Sequence, residues 1–192
     1  MPLSTIAANQ IKNDTIVDAK INSSANIATT KLGTGAIIQT QKTVITTPFT
    51  IALSTNTDTT VTGMTVNITP SFSNSIILLT GQIMGEHTHP HNLMFTFFRD
   101  STKLGQPAGG NRNVGIAPFP NTYHSDAAST SEFVNFQHHD TPSTTSQITY
   151  KITGNTSATS STTLFVNKTI TDSNADSMER GMSFIMAQEI KV

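Results

Sequence analysis

The chain has 192 residues, of which 12% are charged, and its net charge is −1. That charged share is roughly half the usual one for a soluble domain, and no Lys/Arg cluster offers the electrostatic footprint that nucleic acid needs. With no cysteine there is neither a disulfide framework nor thiolate chemistry. Met1–Gln10 has no positive n-region or apolar h-region of a Sec-type signal, and no apolar run reaches the length of a membrane helix, so no membrane insertion is expected. The polar surface is drawn from Ser, Thr and Asn. The Asn-x-Ser/Thr triplets at Asn22, Asn67, Asn155 and Asn167 are what such a composition produces.

Residues 1–38 stand apart from the rest. Ile6, Ile11, Ile16, Ile21, Ile27 and Leu32 recur every five or six positions among Thr, Asn, Asp, Ala and Ser. A five-residue step overshoots a helical turn by about 140°, and an odd step flips a side chain across a strand. One aliphatic residue in five cannot offset the entropy of ordering a lone segment. The spacing makes sense if several identical chains bury these positions on a shared axis, or if the segment lies in a partner's groove. These six residues are therefore the expected oligomerising and anchoring positions, and 1–38 the expected extended domain ahead of a head at 39–192.

From Ala36 onward the pattern is β. AIIQTQKTVIT and FTIAL flank Pro48, an edge or bulge signal. TTVTGMTVNIT sets Met64, Val66 and Ile68 on one face. The densest apolar stretch runs from Phe72 to Asp100, and Ile76–Met84 and Leu93–Phe98 predict two central antiparallel strands joined by the hinge EHTHPHN, with Gly85 and Pro90 ending the ladder. RDSTKLGQ reads as a hairpin turn. The loop-like stretch from Pro107 to Thr130 is longer than a compact domain needs, and such loops tend to carry recognition. EFVNFQHH, QITYKIT and TTLFVNKT are short strands, and GMSFIMAQEI closes the chain with Met182, Phe184 and Met186 on one face. Nine or so strands without an amphipathic helix predict an all-β, jelly-roll-like sandwich.

The repeat IAANQIKNDTIVDAKINSSANIATTKLGTGAI resembles the aliphatic-spaced segments that open bacteriophage fibre and virion appendage proteins. FFRDSTKLGQPAGGNR, DTPSTTSQITYK, FVNKT and the terminal RGMSFIMAQEI resemble small phage structural proteins that follow such repeats. The resemblance implies a homotrimer on the virion surface, its N-terminal segment bound to other virion proteins on the capsid or tail and its β-head outward, able to contact a host-surface glycan or protein.

Catalysis finds little footing. The carboxylates are scattered, and neither an adjacent pair nor a G-x-S-x-G elbow is present, so a non-enzymatic role without a cofactor is expected. The alternative from another class is a metal-dependent, cupin-like jelly-roll enzyme, prompted by His87-Thr88-His89 with His124 as a third imidazole. Against it, the expected Glu after the second His is replaced by His91, Asn92 and Leu93, and the later Pro-x-Gly element is missing. On a threefold axis His87 and His89 would supply a six-nitrogen shell, resembling some phage spikes. Gly85 and Pro90 instead place them in a connection, read here as a solvated loop. Surface recognition is assigned to Arg112, Phe119, Tyr123 and His124, with Phe119 exposed between Pro118 and Pro120 as a ring for sugar stacking. Tyr150, within a strand, is expected in the core, and His138 and His139 at a solvated strand end.

Overall fold

The alternation becomes eleven strands among the described residues of the computed structural model, which are 27–88, 93–120, 129–157 and 161–192. One sheet holds β1 (Ile37–Ile45), β2 (Phe49–Leu53), β4 (Ile76–His87), β8 (Glu132–Asp140), β10 (Thr162–Val166) and β11 (Ser183–Ile190). The other holds β3 (Thr59–Ile68), β5 (Leu93–Arg99), β6 (Thr102–Lys103), β7 (Ala117–Pro118) and β9 (Ile148–Thr156). No α-helix occurs among the described residues; Thr29–Lys31 makes one 3-10 turn. Gly33–Val192 forms one compact unit, and residues 27–32 belong to a separate one. Ile6, Ile11, Ile16 and Ile21 lie outside the described residues, while Ile27 is exposed and Leu32 half-buried.

Three of the strands are interrupted. Leu164–Val166 pair with His87–Gly85 of β4, and Phe184–Ile190 with Gln82–Ile76, so β10 and β11 form one line along β4 with residues 167–182 as an excursion. β1 and β2 follow that line as one strand bent at Pro48. β6 and β7 likewise form one line along β5, with 104–116 between them. Counting each line once leaves eight strands, ordered 1-8-3-6 in one sheet and 2-7-4-5 in the other. This is a jelly-roll-like sandwich, as the alternation predicts.

The interior is filled from both inner faces. Ile77, Leu79 and Ile83 of β4 face Phe95 and Phe97 of β5 and Tyr150 and Ile152 of β9, all at most 0% exposed. β4 and β5 are thus not ladder neighbours, contrary to the hairpin expected from the sequence; they belong to different sheets. Their bulky residues complement one another across the core instead. Gly81 sits where a Cβ would come within 2.7 Å of Ile152 and 3.2 Å of Phe97. Gly85 does not end the ladder either, since it pairs with Val166 on one side and Glu132 on the other. There the missing side chain lets the Phe165 carbonyl approach to 1.9 Å of where a Cβ would stand. Met64, Val66 and Ile68 are buried together as expected, past a bulge in β3 at which Gly63 adopts φ +76°. The face of Met182, Phe184 and Met186 points away from the core, and Ser183, Ile185, Ala187 and Glu189 are its buried counterparts.

Polar groups fix the sandwich at three places. Where both strands of the first sheet are interrupted, Asn167 is fully buried at φ 61°. Its Nδ2 donates to the carbonyls of Ile45 and Thr47, and its Oδ1 accepts from Ser183 Oγ at 2.6 Å. Inside the core, Asp140 accepts from Arg99 Nη1 at 3.0 Å and from the Tyr150 hydroxyl at 2.6 Å. Burial first, and then that hydrogen bond, raises the Tyr150 phenol well above its ordinary range. At the end of β11, fully buried Glu189 accepts from Ser71 N, Phe72 N, Ser75 Oγ and Gln39 Nε2. Asn155 and Asn167 are both buried, so the triplets they begin are packing positions rather than glycan acceptors.

Candidate functional site

Four connections start at one end of the sandwich, after Leu53, His87, Pro118 and Thr156. Hydrogen bonds tie their roots together. Asn56 N donates to the Thr156 carbonyl at 2.7 Å, Thr88 N to the Thr163 carbonyl at 3.1 Å, and Phe119 N to the Leu93 carbonyl at 2.9 Å. The excursion between β6 and β7 reaches the same end, since Asn113 Nδ2 donates to the Asn155 carbonyl at 3.2 Å. Loops gathered at one end of a rigid sandwich are the usual seat of recognition.

Of the four residues assigned to recognition, Arg112 lies here. It is exposed, its N and Nη1 both donate to the Gly109 carbonyl, and it borders a depression of about 370 Å³ with Met94, Asn111, Asn113 and Ser157. Gly109 shapes the turn, because a Cβ there would stand 2.3 Å from Val114 Cγ1. Asn155 pairs with Met94 across the ladder on the same outward face. Its Nδ2 is held toward Asp58 Oδ1 at 3.3 Å, and its buried Oδ1 has no hydrogen-bond partner among the described residues. Three amide or hydroxyl side chains, a guanidinium and a thioether suit a polar, neutral or anionic group with some apolar surface, such as a sugar.

Phe119 does not belong to this surface. It is buried, with its ring edge-on to His87 at 5.2 Å and to Phe95 at 5.9 Å. Pro118 ends a two-residue strand on β5, and the Phe119 N–H bond to Leu93 turns the side chain into the core. Replacing Phe119 by alanine should therefore cost about 3–5 kcal/mol of stability, read from urea unfolding, and leave recognition by any correctly folded fraction unchanged. His87 is corrected likewise: it is the last residue of β4 and buried against Phe119, not part of a solvated loop. Tyr123, His124, His89 and His91 lie outside the described residues. Tyr150 is core, as expected, and His139 is exposed at the strand end.

Met94, Asn111, Asn113, Asn155 and Ser157 were missed in the sequence. Asn111 and Asn113 flank Arg112, but Met94 and Ser157 join them only through the β5–β9 ladder, for which the sequence holds no local signal. A second depression, about 360 Å³, lies in the 167–182 excursion, where Asp172 takes both Arg180 Nε and Nη2 and so leaves little unpaired charge. Among the described residues no three His, Cys, Asp or Glu side chains gather in a way that could hold a metal ion.

No protein-family model matches the chain, and no curated protein does. Among solved structures it is similar to a chain in the structure of infectious bursal disease virus, Gx strain. The identity is 14% and the TM-score 0.32, over 80% of this chain and 38% of that one. A likeness at that TM-score carries no functional weight.

Proposed function

We propose that this chain is a structural appendage of a phage particle. It is a homotrimer anchored to other virion proteins through residues 1–38, and its β-head stands on the virion surface and contacts the host through the loop end that bears Arg112. The observation that carries the reading is the join between the two parts: an aliphatic residue every fifth or sixth position, which gains burial only from other copies or a partner's groove, running directly into a jelly-roll-like head. Jelly rolls serve many unrelated ends, so the head alone would not suffice. The low charge and the Ser/Thr/Asn surface suit dense packing of β-domains. For the contact itself, the polar depression beside Arg112 favours a host glycan.

Deleting residues 1–38 tests the division of labour. The shortened chain should keep the far-UV spectrum of a β-protein, because the buried apolar residues among those described all lie beyond that point, and it should be absent from purified particles. Incorporation at normal copy number would move the anchor into the head. Elemental analysis of the intact protein separates the cupin-like alternative, which needs one transition metal per chain.

A further inference from the structure

A sheet with one face in the core and one in water alternates apolar-in with polar-out. The outward face of the first sheet breaks this rule along a band that crosses all of its long strands. Phe133 of β8 stands opposite Met84 of β4, Phe184 of β11 opposite Val44 of β1, and Met182 sits at the head of β11 with its carbonyl accepting Gln82 Nε2. Phe133 is 61% exposed, Met182 52% and Val44 44%. Single exposed apolar residues are ordinary, but a band reaching both edges of a sheet marks an interaction surface.

Along these four strands the outward face carries little charge, although Glu179 and Arg180 are exposed just before Met182 and the His139 imidazole is exposed at the far end of β8. The face's other outward residues include Thr80, Gln82, Asn135, Gln137 and Gln188; Lys42 is the one exposed charge among the described residues of these four strands on this side. Glu86 shares the side but is buried, accepting from Ile170 N at 2.7 Å. We infer that this face is where the heads of the proposed trimer meet, so that the band is covered by second and third copies of the same chain. The inference rests on the homotrimeric reading above. A surface that meets copies of itself places every charge near its own like, and an uncharged face escapes that repulsion. The point of entry of the chain is the second reason. The repeat passes through Gly33–Ala36 into β1, which carries Val44 and is an edge of this sheet. Copies joined by the repeat are therefore tethered at this sheet, at high effective concentration for one another. About a threefold axis each head offers its β1 side to one neighbour and its β8 side to the other, bringing Val44 of each copy against Phe133 of the next.

The lack of native cysteine lets a single introduced thiol report on one place. In the full chain, Phe133→Cys and Asn67→Cys are compared; Asn67 is exposed on the outward side of the other sheet and serves as control. The expected result is a mass near three times 20.6 kDa by light scattering, with the thiol in F133C reacting at least tenfold more slowly with a thiol reagent than that in N67C. The V44S/F133C/M182S variant should keep its β spectrum and the trimer that the repeat holds, while its thiol reacts about as fast as that in N67C. A trimer in which both thiols react equally fast overturns this interface and leaves the trimer standing; a monomeric wild type overturns both. Should the triple variant misfold, the comparison of the two thiols still decides.

Discussion

Replacing Asn167 by alanine is expected to lower the stability of the head by about 3–5 kcal/mol, from lost partners for buried polar groups together with a left-handed backbone. For a chain of this length that corresponds to a fall of roughly 6–20 °C in Tm. Asn167 is the first residue of the excursion between β10 and β11, and it stands where the β1–β2 line bends. Its side chain passes a hydrogen bond from one interruption to the other: Met84 N donates to Ser183 Oγ at 3.1 Å, Ser183 Oγ to Asn167 Oδ1 at 2.6 Å, and Asn167 Nδ2 to the Ile45 carbonyl at 2.8 Å. Truncation strands the Ser183 hydroxyl and the Ile45 carbonyl in a buried place. It also puts alanine at φ 61°, where asparagine is tolerated far better. Asn167→Gly separates the two contributions, since glycine accepts the backbone but restores no hydrogen bond. It should recover about 1 kcal/mol of the loss. Equal stability of N167A and wild type in thermal denaturation would mean that the two interrupted strands are joined by packing alone.

This joint was invisible in the sequence, and the reason is general. Alternation tells which side chains share a face, and it did so for Met64, Val66 and Ile68 and for Leu93, Phe95 and Phe97. It does not name the neighbouring strand. The runs Ile76–Met84 and Leu93–Phe98, separated by a short connection, look like a hairpin, yet they lie in opposite sheets, with Ile152, Phe136 and Phe97 packed into the space that Gly81 leaves across the core. The same limit applies to Met182, Phe184 and Met186. Their common face was legible, but whether it looked inward depended on Ser183 and Glu189 finding buried partners on the other side. Ile185 and Ala187 then fill the core between these two polar residues, and the three larger apolar side chains face outward.

The loop end was legible in outline only. Length and Gly/Pro content marked 107–130 as a long connection, and Arg112, its one basic residue, holds that place at the surface. Phe119 failed as a surface ring because flanking prolines signal irregular backbone without saying which way a side chain turns. The partners of Arg112 come from β5 and from the residue after β9, more than forty positions away on one side. Pairing of that range is set by the whole sheet, not by any local signal.

Glu189→Gln should cost about 2–3 kcal/mol near neutral pH, because a buried carboxylate that collects several charge-assisted hydrogen bonds is replaced by a group that accepts through one atom only. The wild-type carboxylate has Ser71 N, Phe72 N and Ser75 Oγ on Oε1 and Gln39 Nε2 on Oε2. An amide can keep its oxygen toward the first three, but its NH₂ then meets the NH₂ of Gln39. Turning Gln39 around would relieve that clash and break its 2.7 Å bond to the Thr69 carbonyl. Either β1 would thus lose its side-chain tie to β11, or the loop between β3 and β4 its tie to β1. Burial by itself opposes ionisation of Glu189, but the four donors outweigh it and hold the carboxyl below the ordinary carboxylate range. The sign of the pH dependence follows. The folded state binds this proton less readily than the unfolded chain, so the carboxylate's contribution is present in full above the unfolded value, about 4.3. It is lost as pH falls from there through the lowered folded value. Urea unfolding of wild type and E189Q between pH 7 and pH 3 should accordingly give two curves that run apart at neutral pH and converge in acid. A gap that stays constant down to pH 3 would place the loss in packing rather than in the charge of Glu189.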